Sequence, residues 1–196
     1  MIVIGASLGG LQALQTILRG LPPTFPWPAA VVLHRDKEPD SSLCELLQRS
    51  SALPVVEVLD KQPIQPGTIY LAPADYHLLV EPGHFCLSTD DPVCCARPSI
   101  DVLFESAADV YGPSLIGVVL TGGSRDGAGG AARIQREGGI VLVQDPATAQ
   151  NAVMPAAAID ATKTSFVLPL SQLGGRLIQL AQSKLPLHFP SPKSNS

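Results

Sequence analysis

Three short segments hold residues able to work as a hydrolytic set. Gly5-Ala6-Ser7-Leu8-Gly9-Gly10 follows an apolar run at residues 2–5 and places Ser7 in G-x-S-x-G spacing. In a strand–turn–helix setting, that spacing lifts a serine hydroxyl clear of a sheet. The free N–H groups of the following helix start then face a developing oxyanion. Leu33-His34-Arg35-Asp36 ends a second apolar run with a histidine. Thr121-Gly122-Gly123-Ser124-Arg125-Asp126-Gly127 follows a third and carries Asp126. A serine hydroxyl is a poor nucleophile until a base takes its proton, and the base works best when a carboxylate fixes its tautomer. Ser7, His34 and Asp126 supply those three roles, with the Ser7 hydroxyl expected about 3 Å from a ring nitrogen of His34, or somewhat farther without substrate. Each has a plainer reading: a glycine-rich phosphate-binding turn for Ser7, a surface histidine for His34, and a helix N-cap for Asp126. Gly122 and Gly123 let backbone amides face a ligand, so a second oxyanion donor can come from this loop.

The order Ser, His, Asp differs from the Ser, Asp, His of α/β-hydrolases, so that family is not implied. A dinucleotide fold would use Asp36 on a ribose, but Gly5-x-Ser7-x-x-Gly10 lacks the second glycine of G-x-G-x-x-G, and no Walker lysine occurs. His77, His84 and His188 lie in hairpin or tail segments without an acid and a serine beside them. The 4 cysteines, Cys44, Cys86, Cys94 and Cys95, form no C-x-x-C pair and show no metal-ligand spacing with histidine. They are expected as reduced thiols, although adjacent Cys94 and Cys95 can in principle form a strained disulfide.

These segments need elements to position them. The chain has 196 residues, 45% hydrophobic and 15% charged, with mean hydropathy +0.24. That excludes a disordered chain, and no apolar run approaches the ~20 residues of a membrane-spanning helix. The net charge of -4, without a basic block, argues against nucleic acid and anionic membranes as partners. No signal peptide opens the sequence, so a cytoplasmic location is expected. Short apolar strands at residues 2–5, 30–33, 55–58, 115–121, 139–144 and 166–168 alternate with helical patterns at 9–19, 41–49, 128–137 and 171–183, with a short helix after Met154-Pro155 and Ser171 as a cap. Residues 68–72, 77–81 and 85–88 predict three short strands with tight links, an antiparallel excursion. Pro98-Ser99 predicts a helix start, with Ile100, Leu103, Phe104 and Ala107 on its buried face. The expected fold is α/β: a doubly wound, mostly parallel sheet with a hairpin insertion, Rossmann-like and three-layered. Residues 1–184 form the expected catalytic domain and 185–196 a loose tail.

At these same segments the sequence resembles the catalytic domain of the chemotaxis protein-glutamate methylesterases, the CheB family. GASLGG resembles its nucleophile loop, VVLHRD its histidine strand, RPSIDVLFESAA its loop-and-helix signature, VVLTGGSRDGAGG its aspartate loop, and QDPATAQNAVMP the segment that follows. The resemblance implies a serine hydrolase that demethylates glutamate methyl esters on chemoreceptor helices, releasing methanol, and that also deamidates glutamines. It implies Ser7 as nucleophile, His34 as general base and acid, and Asp126 as orienting carboxylate. The oxyanion donors it implies are the Leu8 and Gly123 amides, with no metal and no cofactor. Leu8 stands where the family commonly has a small or polar residue, Gly123 where it usually has methionine, and Ser124 where it usually has glycine. Methylated receptor helices are the expected partner. Gating by phosphorylation would need a receiver domain, fused or separate, that this sequence lacks. The competing readings are a receptor- or partner-binding module of the same fold with weakened catalysis, and a nucleotide-binding protein using the Gly5–Gly10 turn.

Overall fold

A computed structural model describes residues 1–35 and 42–183. The expected tail at 185–196, His188, Asp36 and the expected helix start at Ser41 lie outside those residues.

Seven strands form one parallel sheet in the order β3-β4-β2-β1-β7-β8-β9. They are β1 (Ile2–Ala6), β2 (Ala29–Leu33), β3 (Val55–Glu57), β4 (Ile69–Leu71), β7 (Ile116–Val119), β8 (Ile140–Gln144) and β9 (Val167–Leu168). A separate antiparallel pair joins β5 (His77–Glu81) to β6 (His84–Ser88). The helices are α1 (Gly10–Gly20), α2 (Ser42–Gln48), α3 (Ile100–Tyr111), α4 (Ala128–Arg136), α5 (Val153–Thr162) and α6 (Leu170–Ser183). Among the described residues, no helix is long and apolar enough to cross a membrane.

The central strands are apolar throughout because both faces are covered. Along β1, Ile2, Ile4 and Ala6 face a core shared with Leu14, Ile17 and Leu18 of α1 and with Leu173 and Leu177 of α6. Val3 faces the opposite core, with Leu103, Phe104 and Ala107 of α3 and Ile134 of α4. Each such fully buried valine, leucine, isoleucine or phenylalanine contributes about 1.5–3 kcal/mol relative to exposure.

The expected doubly wound sheet is present, with one difference in its middle. Residues 68–72 were expected in the antiparallel excursion. Their strand, β4, instead lies in the main sheet, parallel to β2 and β3. Ile69, Tyr70 and Leu71 are all buried. Ile69 and Leu71 enter one core and Tyr70 the other, an arrangement that a hairpin open to water on one side does not offer. Among the strands of the described residues, β5 and β6 alone lie outside the main sheet. They pack on α3, where the Val80 amide donates to Ser106 Oγ at 3.1 Å, and the Phe85 ring lies 4.8 Å from that of Tyr70. Two helix starts also differ. α5 begins at Val153, so Pro155 sits in its first turn, where no N–H is needed. α6 begins at Leu170, which puts Ser171 inside the helix rather than at its cap.

β1 lies between β2 and β7. From β1 the chain passes to β2, on to the edge strand β3 and back to β4 between them, and then crosses to β7 and winds outward through β8 and β9. The winding direction therefore switches between β1 and β7, and a crevice at the carboxyl ends of these strands is the natural ligand site of such a sheet. Its floor is close-packed. A Cβ at Gly5 would fall on Ile100 Cγ2, and one at Gly127 would come within 2.7 Å of the same atom. Gly5→Ala is therefore expected to cost about 1–3 kcal/mol by overpacking. A double-mutant cycle with Ile100→Ala, read by urea unfolding, should show the pair less destabilised than the sum of the single changes. Strict additivity would mean that the two side chains do not meet.

Candidate active site

The turn after β1 is locked against the loop after β7. The Ser7 amide donates to Thr121 O at 3.0 Å, and the Gly10 amide closes the turn onto Ser7 O at 2.7 Å. Gly9 takes the left-handed conformation, φ 80°, that lets the turn enter α1 so abruptly. A Cβ on Gly122 would approach Ser7 Cβ to 3.0 Å and Met154 Cε to 2.6 Å, so only glycine fits behind the serine. The Thr121 hydroxyl donates to Leu8 O at 2.9 Å and accepts the Asn151 amide at 2.9 Å. The Thr121 amide is held by Gln144 Oε1 at 2.9 Å, and Gln144 in turn donates to Thr148 O at 2.9 Å. Three loops are thus fastened to one another beside Ser7.

His34 continues the β1–β2 ladder, its amide donating to Ala6 O at 3.0 Å. The ladder sets the imidazole beside the serine turn, and both residues line one open concavity with Leu8, Gly9 and Leu33. His34 Nε2 lies 2.7 Å from Asp126 Oδ2. An ionised carboxylate only accepts, so Nε2 carries the proton and Nδ1 is the ring's basic nitrogen. Among the described residues, the Ser7 hydroxyl and His34 Nδ1 make no hydrogen bond. The Ser7–His34 hydrogen bond of about 3 Å expected from the sequence is not made; the ring is held by Asp126 instead.

Asp126 is fully buried and fully satisfied. Oδ2 accepts from His34 and from the Ile100 amide at 2.7 Å; Oδ1 accepts from Ser99 Oγ at 2.8 Å and from the Asp101 amide at 3.0 Å. Ser99 is the N-cap residue of α3, yet its side chain caps nothing on that helix. The carboxylate of Asp126, borrowed from the loop before α4, supplies the cap. It sits where the exposed amides and dipole of α3 favour negative charge. Burial acts to raise the Asp126 carboxyl, but the bonds from His34, Ile100, Asp101 and Ser99 outweigh it and hold it below the ordinary range. The stability Asp126 lends is therefore complete above the unfolded carboxyl value of about 3.9 and is lost as pH falls through the lower folded value. Urea midpoints between about pH 5 and pH 2 should fall less steeply in Asp126→Asn than in the parent. Equal slopes would remove Asp126 from the acid response.

The Leu8 and Gly123 amides donate to no other group among the described residues. Both residues are exposed, Leu8 at 54%. The Gly122 amide is already held by Asn151 O at 3.1 Å. His77 and His84 lie away from this constellation. His77 is buried and structural: Nε2 bonds Asp91 O at 3.1 Å, and Nδ1 accepts the Ser99 amide at 3.2 Å. Sequence reasoning gave no role to Thr121, Gln144 or Asn151, and read Ser99 only as the start of a helix. The only signals were Thr121 at the head of its glycine pair, Ser99 in a cap position, and the polar residues within QDPATAQNAVMP.

The sequence model of the CheB methylesterase family matches residues 2–177. A putative protein-glutamate methylesterase/protein-glutamine glutaminase of Leptospira interrogans is 43% identical over 185 residues, covering 94% of this chain and 96% of that protein. Protein-glutamate methylesterase FrzG of Myxococcus xanthus is 39% identical, over 91% of this chain and 54% of its own length. The chain spans about half the length of FrzG and of several other relatives. The crystal structure of the Thermotoga maritima CheB methylesterase catalytic domain superposes with a TM-score of 0.87 at 36% identity, over 91% of this chain and 97% of that one.

Proposed function

The chain belongs to the CheB methylesterase family, and from that premise we propose that it hydrolyses γ-glutamyl methyl esters on the helices of methyl-accepting chemoreceptors. The observation that carries this reading is the Nε2–Asp126 contact of 2.7 Å, which commits the other face of the His34 ring to the concavity that holds Ser7.

In this reaction Ser7 Oγ attacks the ester carbonyl while His34 Nδ1 takes its proton. Asp126 keeps the proton on Nε2 and stabilises the imidazolium. The Leu8 and Gly123 amides receive the oxyanion. As the tetrahedral intermediate collapses, His34 returns the proton to the methoxy oxygen and methanol leaves. Water, deprotonated by the same imidazole, then cleaves the acyl-enzyme and frees the glutamate carboxylate and Ser7. A glutamine side chain would form the same acyl-enzyme with ammonia as leaving group, and the relatives' names pair the two activities. Residues 1–184 are the proposed catalytic unit, acting in the cytoplasm where receptor helices are methylated.

The test is methanol release from methyl-labelled receptor signalling helices by the purified chain, with ammonia release followed in parallel. Release of labelled methanol above the uncatalysed rate is expected. A folded protein that binds the helices but releases none would instead be a docking module.

A further inference from the structure

The segment between β8 and α5 brings a side-chain donor up to the Gly122–Gly123 loop. Its main chain is fixed to that loop: the Gly122 amide donates to Asn151 O at 3.1 Å, and the Asn151 amide donates to Thr121 Oγ1 at 2.9 Å. The Asn151 side chain is fixed in turn. Its Oδ1 accepts the amide of Val153, the first residue of α5, at 3.1 Å. A backbone N–H can be met there only by the carboxamide oxygen, so the NH₂ group takes the other position. That group lies against Gly123, where a Cβ would come 3.4 Å from Asn151 Nδ2. Glycine carries no Cβ, and the carboxamide stays open on that side. Among the described residues, Nδ2 donates to no acceptor. The buried side-chain atoms without a partner belong there to Trp27, Arg35 and Tyr111, so the half-buried Asn151 keeps its NH₂ group within reach of solvent.

We propose that Asn151 is a third oxyanion donor, its Nδ2–H bonding the γ-carbonyl oxygen of the substrate beside the Gly123 amide as the tetrahedral intermediate forms. The inference rests on the catalytic reading above and deepens it. The reach is sufficient. Nδ2 stands 3.4 Å from the Gly123 Cβ position, which standard bond geometry puts roughly 2.5 Å from Gly123 N. The two nitrogens are therefore no more than about 6 Å apart, a span that two N–H···O bonds of about 2.9 Å can bridge through one oxygen. The donor is also in place before charge develops. Main-chain bonds hold the residue to Thr121 and Gly122, and α5 holds its Oδ1. A donor fixed in advance stabilises a developing oxyanion without reorganising. A carboxamide is neutral, so it adds no charge to compete with Asp126 for the imidazolium. Its proton stays on nitrogen throughout, and Ser7, His34 and water carry every bond change of the reaction.

Methanol release from methyl-labelled receptor helices by the whole chain, with kcat and KM separated and a thermal melt in parallel, tests the assignment. Asn151→Ala should lower kcat roughly 10²- to 10³-fold with KM within about twofold of the parent, the pattern of a donor used only in the transition state. It also loses the bond to Val153, so its melting temperature should fall. Asn151→Asp separates the two roles. Its carboxylate still accepts the Val153 amide and keeps the start of α5, while the donor is gone and a negative charge faces the oxyanion. Its melt should match the parent, and its kcat should fall at least as far as in Asn151→Ala. A parent-like kcat in Asn151→Ala overturns the inference. A loss there with a parent-like kcat in Asn151→Asp also overturns it, leaving Asn151 only its structural bond to α5. A raised KM at unchanged kcat does the same, since it marks a contact made equally in the ground state. In each of these cases the parent is active and the catalytic reading stands. A parent that releases no methanol fails that reading, and the inference falls with it.

Discussion

Ser7→Ala lowers the rate of methyl-ester hydrolysis by roughly 10⁴- to 10⁶-fold while leaving the unfolding midpoint within experimental error of the parent: that is the outcome expected in a receptor-helix assay paired with a thermal melt. The two halves have separate causes. Among the described residues that line the concavity with His34, the Ser7 hydroxyl is the one that can form an acyl-enzyme, so its removal leaves the oxyanion amides and binding alone to accelerate the reaction. The same hydroxyl makes no hydrogen bond among the described residues, and the turn that carries it is closed by main-chain bonds from Ser7 N and onto Ser7 O. Alanine keeps both. Undiminished turnover would refute Ser7 as nucleophile; a collapse of the fold would show that the hydroxyl has a structural partner.

Asp126→Asn should cost on the order of 10⁴ in kcat, because an amide in place of the carboxylate no longer fixes the imidazole tautomer or stabilises its cation. Here the fold should suffer as well. Every ligand of the Asp126 carboxylate is a donor: His34 Nε2, the Ile100 and Asp101 amides, and Ser99 Oγ. Whichever position the new NH₂ takes, it meets an N–H or O–H, leaving a buried donor unsatisfied at about 1–3 kcal/mol. The loss should appear in urea unfolding as a lower midpoint with an unchanged slope. A variant as stable as the parent but inactive would mean that α3 does not depend on this carboxylate. A variant that is active would end its catalytic assignment.

Much of this site was legible because strand ends are legible. Ile2, Val3 and Ile4 before Gly5, and Val31, Val32 and Leu33 before His34, announce buried parallel strands, and such sheets collect reactive groups at their carboxyl ends. Ser7, His34 and Asp126 could be nominated without knowing any distance. The middle of the chain was harder. Residues 68–72 carry the same short apolar signature as the hairpin strands that follow, and pairing partner is a property of the whole sheet rather than of a five-residue window. The scaffold of the site was harder still. Asp126 is the cap of a helix that begins 26 residues before it, and the N-cap rule, which reads only the residue next to a helix, points to Ser99. Thr121 connects to Leu8 across 113 residues, a separation at which no local pattern operates.

The Thr121 latch has a consequence for variation within this fold. It grips Leu8 by its carbonyl, and the proposed oxyanion donors at positions 8 and 123 are amides. Reaction chemistry at both positions therefore belongs to main chain, which every residue except proline supplies alike. On that proposal the Leu8 side chain, exposed where it lines the crevice, is released from the reaction, so exchanging it is expected to retune which protein surface is accepted while bond cleavage proceeds as before.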